Sequence, residues 1–184
     1  MSAKTALRIV AGAIEALNDN IGRGLALFVW GTAILCAVVV FLRYVLHESF
    51  VWMQELYVWM HAVVFMVGAG YAMRRDAHVR VDIFYSKWNS RTRAMVEIIG
   101  TLAFTLPWVA VLAWLAWPYI RVSWTIMEGA AQPGGLPFTY LFKTVVLVFC
   151  FAVGLQGLAV IARSILVLLG DRPPAPAEPP PAEA

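Results

Sequence analysis

Four stretches of the chain are nearly unbroken in apolar residues, at about 22–42, 51–73, 95–118 and 138–162. Crossing the roughly 30 Å hydrocarbon core of a bilayer takes about 20 helical residues, and each stretch meets that length. Helices satisfy their own backbone polar groups in lipid, so the pattern predicts an all-α membrane protein with four transmembrane helices. The first run carries a charge only at its edge, Arg23, whereas the second holds Gln54, Glu55 and His61 among its apolar residues. Pro107 lies near the middle of the third and predicts a kink there, tolerated where neighbours satisfy the freed carbonyl. The fourth follows a turn-rich stretch, Gln132-Pro133-Gly134-Gly135-Leu136-Pro137, with Lys143 near its start and Gln156 near its end.

Residues 1–21 have a different pattern. Leu7, Val10, Ile14, Leu17 and Ile21 recur at spacings of three and four, which gathers them on one helical face with Arg8, Glu15 and Asn18 away from it. Polar residues interrupt the segment too often for a signal-peptide core. It reads as an N-terminal amphipathic interfacial helix, its apolar face on acyl chains or on a partner subunit. The transmembrane domain then covers 22–165. At the far end, 166–184 contains DRPPAPAEPPPAEA, rich in proline and lacking apolar periodicity, and is expected to be a disordered cytoplasmic tail.

Composition agrees with a membrane protein. The 184 residues are 61% hydrophobic and only 14% charged, against about 25% charged in soluble domains. Eight Trp and six Tyr suit helix ends placed at lipid headgroups. The net charge of +3 gains its meaning from distribution, since of the 14 Lys and Arg only Arg43, Arg121 and Lys143 fall on one side of a four-span topology. The positive-inside rule puts both termini and the central connection in the cytoplasm, so the basic character orients the chain and implies no nucleic acid. Cys36 and Cys150 both sit in apolar runs and read as small hydrophobes, with no disulfide or metal role.

Ionisable groups within spans are costly and become the candidates for chemistry. Glu55, Arg43 and Lys143 stand at one depth near the outer ends of their spans, and are expected to form ion pairs within the chain or with a partner. Glu97 enters the third span near Arg91 and Arg93. His61 shares a seven-residue recurrence with Gln54 and Gly68, a stripe expected to face protein, and Gly68-Ala69-Gly70 allows close helix approach. Haem would call for a second intramembrane histidine, and His47 and His78 lie outside the spans. Around His78, Arg80 and Asp82, polar and apolar residues alternate, which fits an extended stretch on headgroups or a docking surface. Soluble catalytic motifs are absent, as are the paired broken helices of a transport core, so no enzyme activity and no cofactor is expected.

Taken in order, Arg43-Tyr44, Trp52 with Glu55, Gly68-Ala69, His78-Val79-Arg80-Val81-Asp82, Ser123-Trp124 with Glu128, Gly135-Leu136-Pro137 with Lys143, and Gln156-Gly157 form a series. Over about 22–165 this series resembles the small, DctQ-like membrane subunit of tripartite ATP-independent periplasmic (TRAP) transporters. The resemblance implies a multi-pass inner-membrane subunit that scaffolds a large permease subunit. A periplasmic substrate-binding protein would deliver an organic anion, commonly a carboxylate, for sodium-driven symport. It also implies that Arg43, Trp52 and Glu55 stabilise the outer ends of the first two helices and that His78, Arg80 and Asp82 order the cytoplasmic turn. Gln54 stands where many members have a second acid. The outer segments 43–51 and 119–137, with Glu48, Arg121 and Glu128, are expected to meet the binding protein. Two other classes compete: an autonomous tetraspan proton-coupled exporter using Glu55 or Glu97, and a membrane anchor of a redox enzyme.

Overall fold

The computed structural model describes residues 3–75 and 88–171, and among them every regular element is helical. The expectations for His78, Arg80 and Asp82, and for the tail beyond residue 171, lie outside the described residues. Helix α1 covers Ala3–Val45, α2 Val51–Arg74, α3 Ser90–Gly100, α4 Leu106–Thr125 and α5 Thr139–Leu168, with a π-helical turn at Thr101–Thr105 joining α3 to α4. Four helical stretches are long and apolar enough to cross a membrane: Lys4–Val45, Val51–Arg74, Ser90–Thr125 and Thr139–Leu168.

Three boundaries differ from the sequence expectation. The amphipathic segment is not a separate element, because α1 runs through residue 21 without a break and continues as the first span. No proline interrupts it, and Glu15, Asn18 and Asp19 find polar partners on α2 and α5 that hold this stretch against the bundle. Its apolar face remains outward, with Val10 and Leu17 exposed. At 1.5 Å per residue α1 is about 65 Å long against about 36 Å for α2, so its first turns overhang the end of α2. The expected start of the tail at 166 falls inside α5, where Leu166 is buried. The third span also reaches further, from Ser90 to Thr125.

The π-helical turn gives the expected irregularity near Pro107 its form. Pro107 has no N–H to donate, and its ring would clash with the carbonyl four residues back in a regular α-helix. One wide turn precedes it, in which the Leu106 N–H bonds to the Thr101 carbonyl five residues earlier. Pro107 then occupies the first turn of α4, where a missing donor is harmless.

Helix α5 is the centre of the bundle and packs against all the others, whereas α1 packs on α2 and α5. Its buried positions include Ala152, Gly157, Ala159, Ala162 and Ser164. Lipid supplies no hydrophobic drive between helices, so small residues that let backbones approach take over that role. Val109 of α4 joins Cys150 and Val153 in an apolar cluster bordered by Ala69 and Met73 of α2. Gly70 marks the closest crossing: a Cβ there would stand 3.0 Å from Asn18 Oδ1 and 3.2 Å from the Ala152 carbonyl oxygen.

Candidate functional site

Polar chemistry collects at the two ends of the bundle. One end carries the chain's N-terminus together with the close of α2 and α5, and is called here the terminal end. The other, the loop end, carries the α1–α2 and α4–α5 connections.

At the loop end the α4–α5 connection is fastened from several sides. Helix α4 closes with Met127 in the left-handed region (φ 45°), and the Glu128 N–H reaches back to the Ser123 carbonyl at 3.0 Å. That turn brings the Glu128 carboxylate onto the buried Ser123 hydroxyl, which donates to it at 2.6 Å, and onto the Lys143 ammonium at the start of α5. Lys143 also lies over the Tyr119 ring, 3.9 Å from its centroid. Thr139 donates to the Gly129 carbonyl at 2.7 Å, and the Trp124 indole N–H donates to Thr144 at 2.9 Å. Trp59 of α2 stacks on Phe142 of α5 with centroids 4.9 Å apart.

Glu55 fastens the same loop from α2. Its carboxylate accepts the backbone N–H of Leu136 at 2.6 Å. Gly135 makes this possible, since a Cβ at that position would fall 2.6 Å from both carboxylate oxygens. The expected pairing of Glu55 with Arg43 or Lys143 is therefore corrected: Lys143 is taken by Glu128, Glu55 serves a backbone amide, and Arg43 is exposed. The helix faces decide this, because equal depth does not make two groups neighbours. Tyr44 and Trp52 are exposed at the same level, as belongs to amphipathic rings at an interface. Arg121 is exposed, whereas Glu128 is bound into the loop and is not a free surface charge.

Hydrogen bonds from Lys143 first, and from Ser123 second, hold the Glu128 carboxyl below its ordinary value. A carboxyl whose folded-state pKa is lowered stabilises the fold above its unfolded pKa and loses that contribution as pH falls through the folded value. The attachment of the loop is thus expected to persist at neutral pH and to release below about pH 4.3, the ordinary glutamate value. Quenching of Trp124 fluorescence followed from pH 7 to pH 3 should show one acid transition. Glu128→Gln should remove that transition.

The terminal end holds a network that sequence reasoning missed. Arg74, at the last turn of α2, pairs with Asp19 of α1 and donates to the Glu15 backbone carbonyl at 2.9 Å. The Glu15 carboxylate in turn accepts from Arg163 of α5 at 3.1 Å. One turn further in, the Asn18 amide donates to the Gln156 carbonyl oxygen at 2.7 Å, and both side chains are buried. Glu97 of α3 accepts from Ser164 of α5 at 2.9 Å. At the overhanging start of α1, Arg8 bonds Asp171 at 2.5 Å and Lys4 donates to the Leu169 carbonyl at 3.2 Å. The available signal was the placing of Glu15 and Asn18 away from the apolar face of this segment; together with Asp19 they meet α2 and α5.

His61 has no partner among the described residues. Of the stripe that it shares with Gln54 and Gly68, only part is covered within the chain: Gly68 lies near Leu25 of α1, Gln54 donates to Ser49 at 2.9 Å, and His61 is exposed. Among the described residues no group of three or more His, Cys, Asp or Glu could hold a metal ion.

The chain matches the family model described as tripartite ATP-independent periplasmic transporters, DctQ component, over residues 26–167. That span runs from the middle of α1 to the last turn of α5. A curated relative, the C4-dicarboxylate TRAP transporter small permease protein DctQ of Vibrio cholerae, is 28% identical over 119 residues, covering 62% of this chain. The aligned part spans about half of that relative, 51% of its length. No solved structure matches the chain. A family match that reaches across all four membrane-crossing helices places this multi-pass membrane protein in the DctQ component family of the tripartite ATP-independent periplasmic transporters.

Proposed function

We propose that this chain is the static small subunit of a binding-protein-dependent secondary transporter, bracing a large permease subunit that carries the transport site. The observation that supports this most is where the polar groups sit. Those that are paired are tied to one another toward the two ends, and the middle of the bundle is packed through small residues of α5. A transport core has interrupted helices that present backbone groups to a solute at mid-membrane. Here the one departure from α-helix among the described spans is a single π turn beside a proline. Meanwhile α1 buries none of its most apolar window within the chain, which leaves a long face for a partner in the bilayer.

In this reading the driving ion is sodium, the solute is an organic anion of the carboxylate class, and both termini lie in the cytoplasm. The relative named for C4-dicarboxylate transport supports the solute class. Exposed Arg43 and Arg121 at the loop end would then face a periplasmic binding protein carrying its anion.

Expression of a tagged chain together with its large permease partner should recover both in one detergent-stable complex. Reconstituted vesicles should accumulate the anion only with the large subunit, the binding protein and an inward sodium gradient. Uptake or export by this chain alone, driven by a proton gradient, would overturn the proposal in favour of an autonomous exporter.

A further inference from the structure

His61 stands about 15 Å along α2 from Val51 and about 20 Å from Arg74, at 1.5 Å per residue. Its imidazole is therefore near the middle of the hydrocarbon, and the side chain is too short to snorkel to either headgroup layer. It is exposed, and among the described residues no hydrogen bond reaches its ring. Acyl chains offer no hydrogen bond, and ionisable residues at this depth face protein or water because an unpaired polar group in hydrocarbon is costly.

The ring borders an open groove of about 440 Å³ between α1 and α2, walled by Val29, Ala33, Val58 and Val64. Thr32 on the same wall donates to the Phe28 carbonyl at 2.7 Å, so its hydroxyl proton is already used within α1. Apart from Tyr57 and His61 itself, the walls are made of small and β-branched side chains, over which another helix can come close.

We infer that this groove seats a transmembrane helix of the large permease subunit, and that the helix brings a hydrogen-bonding side chain, a hydroxyl, amide or carboxyl, to His61. The inference rests on the small-subunit reading above. It goes beyond that reading by naming the α1–α2 face as the contact and His61 as its polar anchor. Polarity selects a protein over lipid as the occupant, since lipid tails would leave the imidazole unpaired. The family, one component of a tripartite system, selects a different chain over a second copy of this one.

The test uses the co-expressed complex. A photo-crosslinking residue placed at Ala33, in the groove, should yield an adduct with the large subunit. The same residue at Val111, exposed on α4, should yield none. His61→Leu should lower the fraction of complex surviving a detergent challenge about tenfold. His61→Asn, which keeps a donor and an acceptor, should stay within about twofold of the parent. The melting temperature of the isolated small subunit should be unchanged in both variants, because His61 has no hydrogen-bond partner among the described residues. An adduct of twice the chain's mass, a crosslink from Val111 with none from Ala33, or equal loss with Leu and Asn would overturn the inference. If the unmodified chain fails to co-purify with a large subunit, the small-subunit reading falls and this inference with it. Co-purification without contact at the groove sinks the inference alone.

Discussion

Replacing Arg74 by methionine is expected to be among the most destabilising single changes in the protein. Arg74 is the cation at which α2 meets α1: it pairs with Asp19 and donates to the Glu15 carbonyl, and its side chain is only 17% exposed. Glu15 and Asp19 are equally enclosed, at 16% and 18%. Methionine preserves the length and apolar stem while leaving Asp19 without its closest cation. Removing one partner of a buried ion pair costs about 3–5 kcal/mol, because the remaining charge keeps its desolvation penalty. Taking the lower figure, at roughly 2–4 °C per kcal/mol for a chain of this size, the apparent Tm in detergent should fall by about 6–12 °C.

Arg75 supplies the control. Its guanidinium approaches Asp19 only to 3.9 Å and lies 5.3 Å from the Tyr71 ring centroid. Arg75→Met should cost about 1 kcal/mol or less, the range of a weak ion pair or an exposed cation–π contact. Adding Asp19→Asn to Arg74→Met should recover much of the lost stability, since a neutral partner no longer leaves a buried charge behind, while Glu15 keeps its own pair with Arg163. Equal Tm values for Arg74→Met and Arg75→Met would show that the network does not hold the helices together.

The second large effect is expected at Gly70. The position lies where α2 crosses both α1 and α5, and its hydrogen already faces Asn18 and the Ala152 carbonyl. Leucine would put further carbons into that space, and the neighbours there are helix backbone and an amide engaged by Gln156. The helices would have to separate. Overpacking of this kind costs about 1–3 kcal/mol, and losing the interhelical Asn18–Gln156 bond adds about 1 kcal/mol. Gly70→Ala should show an intermediate loss. Gly68→Ala should show almost none, because the nearest atom to its added carbon is Leu25 Cδ1 at an ordinary 3.5 Å. A melting series in which Gly68 and Gly70 respond alike would refute the three-helix crossing.

Particular elements show how far each kind of pattern carried. The apolar lengths located four spans, and the distribution of basic residues put Arg43, Arg121 and Lys143 together at one end of the bundle, as the structure also does. Pro107 signalled an irregularity, though not that a π turn would carry it. The small run at 68–70 signalled close packing, which Gly70 bears out. At the loop end Glu55, Arg43 and Lys143 were legible as groups at one depth, but their partners were not: Lys143 meets Glu128, and Glu55 holds a backbone amide made available by Gly135, 80 positions further along. At the terminal end Glu15 and Asn18 were legible as lying away from the apolar face, and the cation and amide that they meet, with the Asp19–Arg74 pair beside them, were not.

What the chain determined on its own was therefore one-dimensional. An apolar run must be about 20 residues long to cross lipid, and positive charges stay on one side, so length and charge order can be read without any contact being known. What only the tertiary structure decided was which faces touch. In lipid an apolar face gains nothing by turning inward, so hydrophobicity does not distinguish core from periphery, and α1 keeps its Leu, Val and Trp outward while turning Glu15, Asn18 and Asp19 inward. Those inward groups select partners such as Gln156, 138 residues away, by hydrogen-bond and charge complementarity across helices whose rotation no local pattern specifies.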